Sequence, residues 1–267
     1  MKIIAEKING TRKRVAQAIE ARDVEFVQDL AIRQAAAGST WLDLNAGTHP
    51  DREPEDLAWL VTTVQAVVDT PLSLDSVNPA ALQAALQIVN KTPMINSISA
   101  EPARLSGILP IVAQHACPVI ALAMDGNKIP ETAGKRFETI TTIITATRAL
   151  GVPDSSIYFD PLAMTISTNT HSAQLVFETL RLIRQEYPAA HTTIGLSNVS
   201  FGLPARSFVN RYFLALAIQA GLDSAILDPL DREIQAAILS AELVMGCDPH
   251  CLNFIRASRK GIFDKAS

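Results

Sequence analysis

Trp41-Leu42-Asp43-Leu44-Asn45-Ala46-Gly47 opens on a short apolar run and closes on a carboxamide and a glycine, and a longer segment with helical spacing follows it. The unit recurs along the chain. Apolar, β-rich runs stand at Lys2–Ala5, Trp41–Leu44, Leu72–Leu74, Met94–Ile95, Val119–Ala123, Ile157–Phe159, Thr193–Leu196 and Ala225–Leu227. Their apolar residues are continuous and do not alternate with polar ones, as expected of strands buried on both faces, and the intervening helices supply the crossovers that parallel pairing needs. Eight such units over 267 residues predict an α/β protein, a single (β/α)8 barrel over residues 1–267, since such a barrel typically takes about 250 residues. The alternative, an open doubly wound sheet, usually carries a glycine-rich phosphate turn after its first strand. Glu6-Lys7-Ile8-Asn9-Gly10-Thr11 has one glycine there, and no GxGxxG or Walker sequence occurs, so a dinucleotide or nucleoside triphosphate site is not expected.

The helices carry their own punctuation. Asp23 can cap a segment running to Gly38, and Asn78-Pro79 offers an N-cap and a first-turn proline for a segment through Val89. Gly151, Gly221 and Gly246 follow helix-like runs where a left-handed residue is wanted. Leu57, Leu60, Val61, Val64 and Val68 recur at helical spacing along one face, and Pro110 should kink or split the helix after Glu101.

Composition narrows the function. Lys and Arg number 23 against 27 Asp and Glu, a formal charge of −4, which gives no basic footprint for nucleic acid or anionic membrane. The first residues lack the apolar core of a signal peptide, and no run reaches the about 18 apolar residues of a membrane span. Cys117, Cys247 and Cys251 form an odd set in a chain large enough to fold without staples, which suits a reducing cytoplasm.

In such a barrel the active site lies at the C-terminal strand ends. Glu6 and Asn9 follow the first run, Asp43 and Asn45 belong to the second, Asp75 to the third and Asn96 to the fourth. The fifth gives Met124, Asp125 and Asn127, the sixth Asp160, the seventh Ser197 and Asn198, and the eighth Asp228. Any one Asp or Asn there is explained as a turn former, but repetition at the end of every strand weakens that explanation. Lys7 and Arg206 are the basic residues nearby. Carboxylates pair with a ring N–H and an exocyclic amine together, and carboxamides donate and accept against a ring amide, so the set suits a neutral, donor-rich heterocycle better than an anion. No GxSxG elbow is present, and Cys247-Asp248-Pro249-His250-Cys251 fits neither CxxC nor HExxH. It is expected to be a turn, and no metal site is expected.

Six segments together resemble the pterin-binding barrel family, most closely its methyltetrahydrofolate:corrinoid protein methyltransferases. They are Glu6-Lys7-Ile8-Asn9-Gly10, Leu42-Asp43-Leu44-Asn45-Ala46-Gly47, Leu74-Asp75-Ser76, Met94-Ile95-Asn96-Ser97, Phe159-Asp160-Pro161-Leu162 and Gly195-Leu196-Ser197-Asn198-Val199-Ser200. The resemblance implies pterin contacts from Asp75, Asn96 and Asp160, with Gly195, Ser197, Asp43, Asn45, Met124 and Arg206 beside them, and makes Asn198 the catalytic candidate, reaching pterin N5. It implies tetrahydrofolate or 5-methyltetrahydrofolate as substrate, a cobalamin-carrying corrinoid protein as partner, and a homodimer, with Phe208–Ala220 serving as core or interface. Asp248, His250 and Asn253 echo a cobalamin-binding DxHxxG sequence but lack its glycine, so the corrinoid is expected on another chain. Two alternatives stay open: a dihydropteroate synthase-like enzyme, whose second loop falls on Asp43–Pro50 here without its arginine, and a non-catalytic folate-binding subunit.

Overall fold

The computed structural model describes residues 1–126 and 128–264; Asn127 lies outside them. Eight parallel strands are β1 (Lys2–Asn9), β2 (Trp41–Asn45), β3 (Leu72–Asp75), β4 (Met94–Ser99), β5 (Val119–Leu122), β6 (Ile157–Asp160), β7 (His191–Thr192) and β8 (Ser224–Leu227). They run side by side in the order β7-β6-β5-β4-β3-β2-β1-β8, and a bridge between Gly195 and Ile226 brings the β7 end of the sheet against β8. The sheet is thus a nearly closed barrel ringed by helices.

Two apolar layers hold it. Ile4, Trp41, Met94, Ile120 and Tyr158 pack together from five strands inside the barrel, and side chains on the other faces of the strands meet the helices. Leu57, Leu60, Val61 and Val64 on the helix Glu53–Gln65 are wholly buried and Val68 packs beside them, as their spacing predicts; a fully buried side chain of this kind contributes about 1.5–3 kcal/mol. Asp23 caps the helix Val24–Ala36 through the Phe26 N–H, and Asn78 caps Pro79–Leu86 through the Ala80 N–H. The latter helix stops short of Val89. Gly151, Gly221 and Gly246 all have positive φ, and the segment after Glu101 is split at Ile108 into Pro102–Gly107 and Leu109–His115.

The barrel departs from the sequence expectation at one strand. Thr193–Leu196 is not β7: pairing with β6 ends at Thr192, and Leu196–Ser200 is a 3-10 turn. The strand hides in a polar stretch because His191 and Thr192 are tied to Asp223 at 2.7 and 3.0 Å. β1 and β4 run longer than their apolar cores, so Glu6, Asn9, Asn96 and Ser99 lie within strands.

Candidate functional site

At the C-terminal rim of β2, β3 and β4, the buried Asp43 Oδ1 accepts from Ser73 Oγ at 2.7 Å and from Asn96 Nδ2 at 3.2 Å. Burial pushes the Asp43 carboxyl well above the usual carboxylate range, and the neighbouring Asp75 charge pushes it the same way. Asp75 accepts from Asn45 Nδ2 at 2.9 Å. Burial raises the Asp75 carboxyl to about 6, with the Asn45 bond and Arg104 opposing the shift and Glu53 adding to it. Asn45 Oδ1 is buried without a partner.

The second group lies at the ends of β6 and β7. Asp160 is buried, accepts from the Leu162 N–H at 2.7 Å and takes a further hydrogen bond from the Gly195 backbone. Its carboxyl is raised to about 6 by burial, against those two bonds and the Arg136 charge. Arg136, itself buried, donates to the carbonyls of Pro130, Pro161 and Leu162 at 2.8 to 3.0 Å. That grip holds Leu162 at φ 64°, a conformation that costs a non-glycine residue on the order of 1–3 kcal/mol. Asn198 is exposed on the Leu196–Ser200 turn, and a Cβ on Gly195 would come within 3.0 Å of its Nδ2. Glycine thus lets the amide lie close over the backbone. Ser197 Oγ faces Glu6 at 3.3 Å, and the Arg206 guanidinium donates to Ser197 O at 2.6 Å and Ser200 Oγ at 3.0 Å. Met124 is half-buried at the end of β5, where its carbonyl accepts from Ala100.

In an eight-stranded barrel, strands four apart face each other. Asp160 therefore stands across the mouth from Asp43 and Asn45, and Asn198 across from Asp75. Among the described residues no hydrogen bond joins the side chains at β2–β4 to those at β6 and β7, and at β2–β4 the Asp43–Ser73–Asn96 cluster and the Asp75–Asn45 pair are separate. Between β1 and β2 the loops close up: a Cβ on Gly10 would overlap the Ala46 carbonyl, and Gly47 at φ 62° packs against Gly10. Lys7, which the sequence marks as basic at the rim, is paired with Asp228 at 2.6 Å.

Ser73 and Arg136 are supporting residues that sequence reading missed. Ser73 sits mid-strand and Arg136 on the helix Ala133–Ala149; a buried arginine is visible only once its carbonyl partners are in place. Among the described residues no group of three His, Cys, Asp or Glu side chains is placed to hold a metal ion, and no helix is long and apolar enough to cross a membrane. Cys117, Cys247 and Cys251 are free thiols, and Pro249–Cys251 is a 3-10 turn whose preceding Asp248 accepts from the Asn253 and Phe254 N–H groups.

Comparison with known proteins agrees with this chemistry. A curated relative, the methylcorrinoid:tetrahydrofolate methyltransferase of Eubacterium limosum, is 38% identical over 98% of this chain and 97% of its own. Methionine synthase of Mycobacterium tuberculosis is 33% identical over 84% of this chain, which matches 20% of that longer protein. The dihydropteroate synthase of Xanthomonas albilineans superimposes with a TM-score of 0.70 at 19% identity, over 94% of this chain and 92% of that one, a likeness of fold. The family model described as pterin binding enzyme matches residues 5–228, and the chain belongs to that pterin-binding family.

Proposed function

We propose that this protein is a methyltransferase that moves a methyl group between N5 of (methyl)tetrahydrofolate and the cobalt of a separate corrinoid protein. The observation that carries the reading is the rim itself: Asp43, Asp75 and Asp160, each held by its own hydrogen bonds at the strand ends, with Asn198 exposed on its turn across from Asp75. The near full-length likeness to a methylcorrinoid:tetrahydrofolate methyltransferase supports it.

Asp75 and Asp160 bind the pterin ring, each able to take a ring N–H and an amine together, with Asn96 beside them and Asn45 holding the Asp75 carboxylate. Both carboxyls, raised to about 6, still favour the ionised form at neutral pH. Gly195 and Ser197 border the ring, Met124 contributes apolar wall, and Arg206 braces the turn. The chemical difficulty is the amine leaving group. When the carbon–nitrogen bond breaks, its electron pair returns to N5, and a proton taken from solvent before or during transfer lets N5 leave as a neutral amine; the partner's reduced cobalt would supply the pair for the new carbon–metal bond. A hydrogen-bond partner of N5 whose contact strengthens as this happens lowers the barrier more than one that only binds. Asn198 supplies such a hydrogen bond without a charge to desolvate, and the exposed turn leaves room for the partner to approach.

Asn198→Ala tests the assignment. Its affinity for methyltetrahydrofolate should stay within about tenfold of wild type while most of the transfer rate is lost; full activity in the variant would remove Asn198 from the mechanism.

We extend the proposal to the assembly. The helix Arg206–Ala220 buries Phe213, Leu214 and Ala217 but leaves Phe208, Tyr212 and Leu216 exposed. With Val244 and Met245 of the helix Arg232–Val244 and the residue after it, Tyr212 and Leu216 line an outer groove of about 700 Å³. An apolar face of this kind marks an interaction site, and a second copy of the chain is its proposed occupant. The working unit is then a cytoplasmic homodimer of single barrel domains.

A further inference from the structure

β1 does not pair regularly with β2. The register shifts between Ala5 and Ile8, so Glu6 and Lys7 sit in a bulge, a device that re-aims side chains beside active sites. The freed Lys7 N–H is taken by Gln34 Oε1 at 3.0 Å. Both re-aimed side chains reach toward the seam where the barrel is least closed. Lys7 Nζ meets Asp228 beyond β8 at 2.6 Å, and the Glu6 carboxylate reaches past β8 to Ser197 Oγ at 3.3 and 3.5 Å. That seam needs support, since β7 is two residues long and meets β8 through the Gly195 bridge. Arg12 steadies the Glu6 carboxylate at 2.9 Å. From the other side, Arg206 holds Ser197 O and Ser200 Oγ.

We infer that Glu6 is a positioning residue for methyl transfer, acting through Ser197 to hold the Leu196–Ser200 turn so that Asn198 meets N5 at the angle the reaction requires. This rests on the proposed role of Asn198. Glu6 touches neither the methyl group nor N5 in this scheme; its contribution is to span the sparsely paired β7–β8 junction with an acceptor for Ser197. The ion pair of Lys7 with Asp228 keeps the adjacent β1–β8 junction in register, and the Arg12 guanidinium fixes which way the Glu6 carboxylate turns. Burial raises the Glu6 carboxyl above its ordinary range, and Arg12, Ser197 and Lys7 oppose that shift while Asp228 adds to it, which agrees with a carboxylate drawn inward by its partners.

A double-mutant cycle tests this. Glu6→Ala and Ser197→Ala should each lower kcat about tenfold with tetrahydrofolate affinity within about threefold of wild type, and the double variant should lose no more than the worse single one. Glu6→Gln should recover kcat to within about threefold of wild type, because its carboxamide oxygen still accepts from Ser197. Amide hydrogen exchange of residues 197–201 provides a readout independent of turnover: Glu6→Ala should lose protection there while β1 to β4 keep theirs. Multiplicative losses in the double variant, an unchanged kcat in Glu6→Ala, or unchanged protection of the turn would overturn the inference. If wild-type protein transfers no methyl group, the proposed function falls, and the exchange measurement still decides whether Glu6 holds the turn.

Discussion

Replacing Asp160 by Asn should change stability in a way that depends on pH. The carboxyl is raised from 3.8 to about 6 chiefly by burial. A raised value means the folded protein binds the proton more tightly than the unfolded chain, so wild-type stability is fullest below about pH 4 and falls as the pH climbs through about 6. About two pKa units at 1.36 kcal/mol each make a total cost of about 3 kcal/mol, of which about 2 kcal/mol develops between pH 4.5 and 8. Asn does not titrate and escapes that cost. It has a separate, pH-independent penalty of about 1–3 kcal/mol, because its NH2 must face the Leu162 or Gly195 N–H that the carboxylate now accepts. Urea unfolding of both proteins from pH 4.5 to 8 should therefore show the variant less stable in acid and gaining about 2 kcal/mol on wild type by pH 8. Tetrahydrofolate affinity should tighten in wild type as pH rises through about 6, and in the variant should be low and keep only the part of that dependence that Asp75 carries. A stability difference that is flat with pH would refute the reasoning.

Other consequences are more local. Gly10→Ala should lower stability by about 3 kcal/mol or more in urea unfolding, since its Cβ would overlap the Ala46 carbonyl and both rim loops must shift; an effect under about 1 kcal/mol would mean the loops separate freely. Arg136→Met strips the Pro130, Pro161 and Leu162 carbonyls of their donor. It should cost about 3 kcal/mol and also weaken tetrahydrofolate binding in a titration, because Leu162 orients Asp160. Val244→Asp, at a side chain 84% exposed in the outer groove, should convert the proposed dimer to monomer in sedimentation while leaving the fold intact; an unchanged mass would place the dimer contact elsewhere.

The rim was legible because its signal is local. Continuous apolar runs such as Val119–Leu122, short and bounded by turn residues, read as strands covered on both sides, and the Asp or Asn ending each run needs no distant partner to be noticed. β7 was misplaced for the converse reason. Ile194 and Leu196 look more strand-like than His191 and Thr192, yet the polar pair forms the ladder because Asp223 and Ser224 satisfy it from β8 and the residue before it. Glu6 was visible as a rim carboxylate, but its tie to Ser197 spans 191 residues, and nothing in either segment announces the other. Arg136 and Ser73 were hidden likewise, one inside a helix and the other inside a strand, with roles that exist only after folding joins them to carbonyls and to Asp43.

The account stands most directly on methyl transfer itself. Purified protein should be given methyltetrahydrofolate labelled at the N5 methyl together with a reduced corrinoid protein, and the label followed onto cobalt, then back from methyl-corrinoid protein to tetrahydrofolate. The account predicts label moving in both directions at rates that depend on this chain and collapse in Asn198→Ala. Tight tetrahydrofolate binding with no transfer to any corrinoid acceptor, free or protein-bound, would contradict it and leave a barrel that holds folate without acting on it.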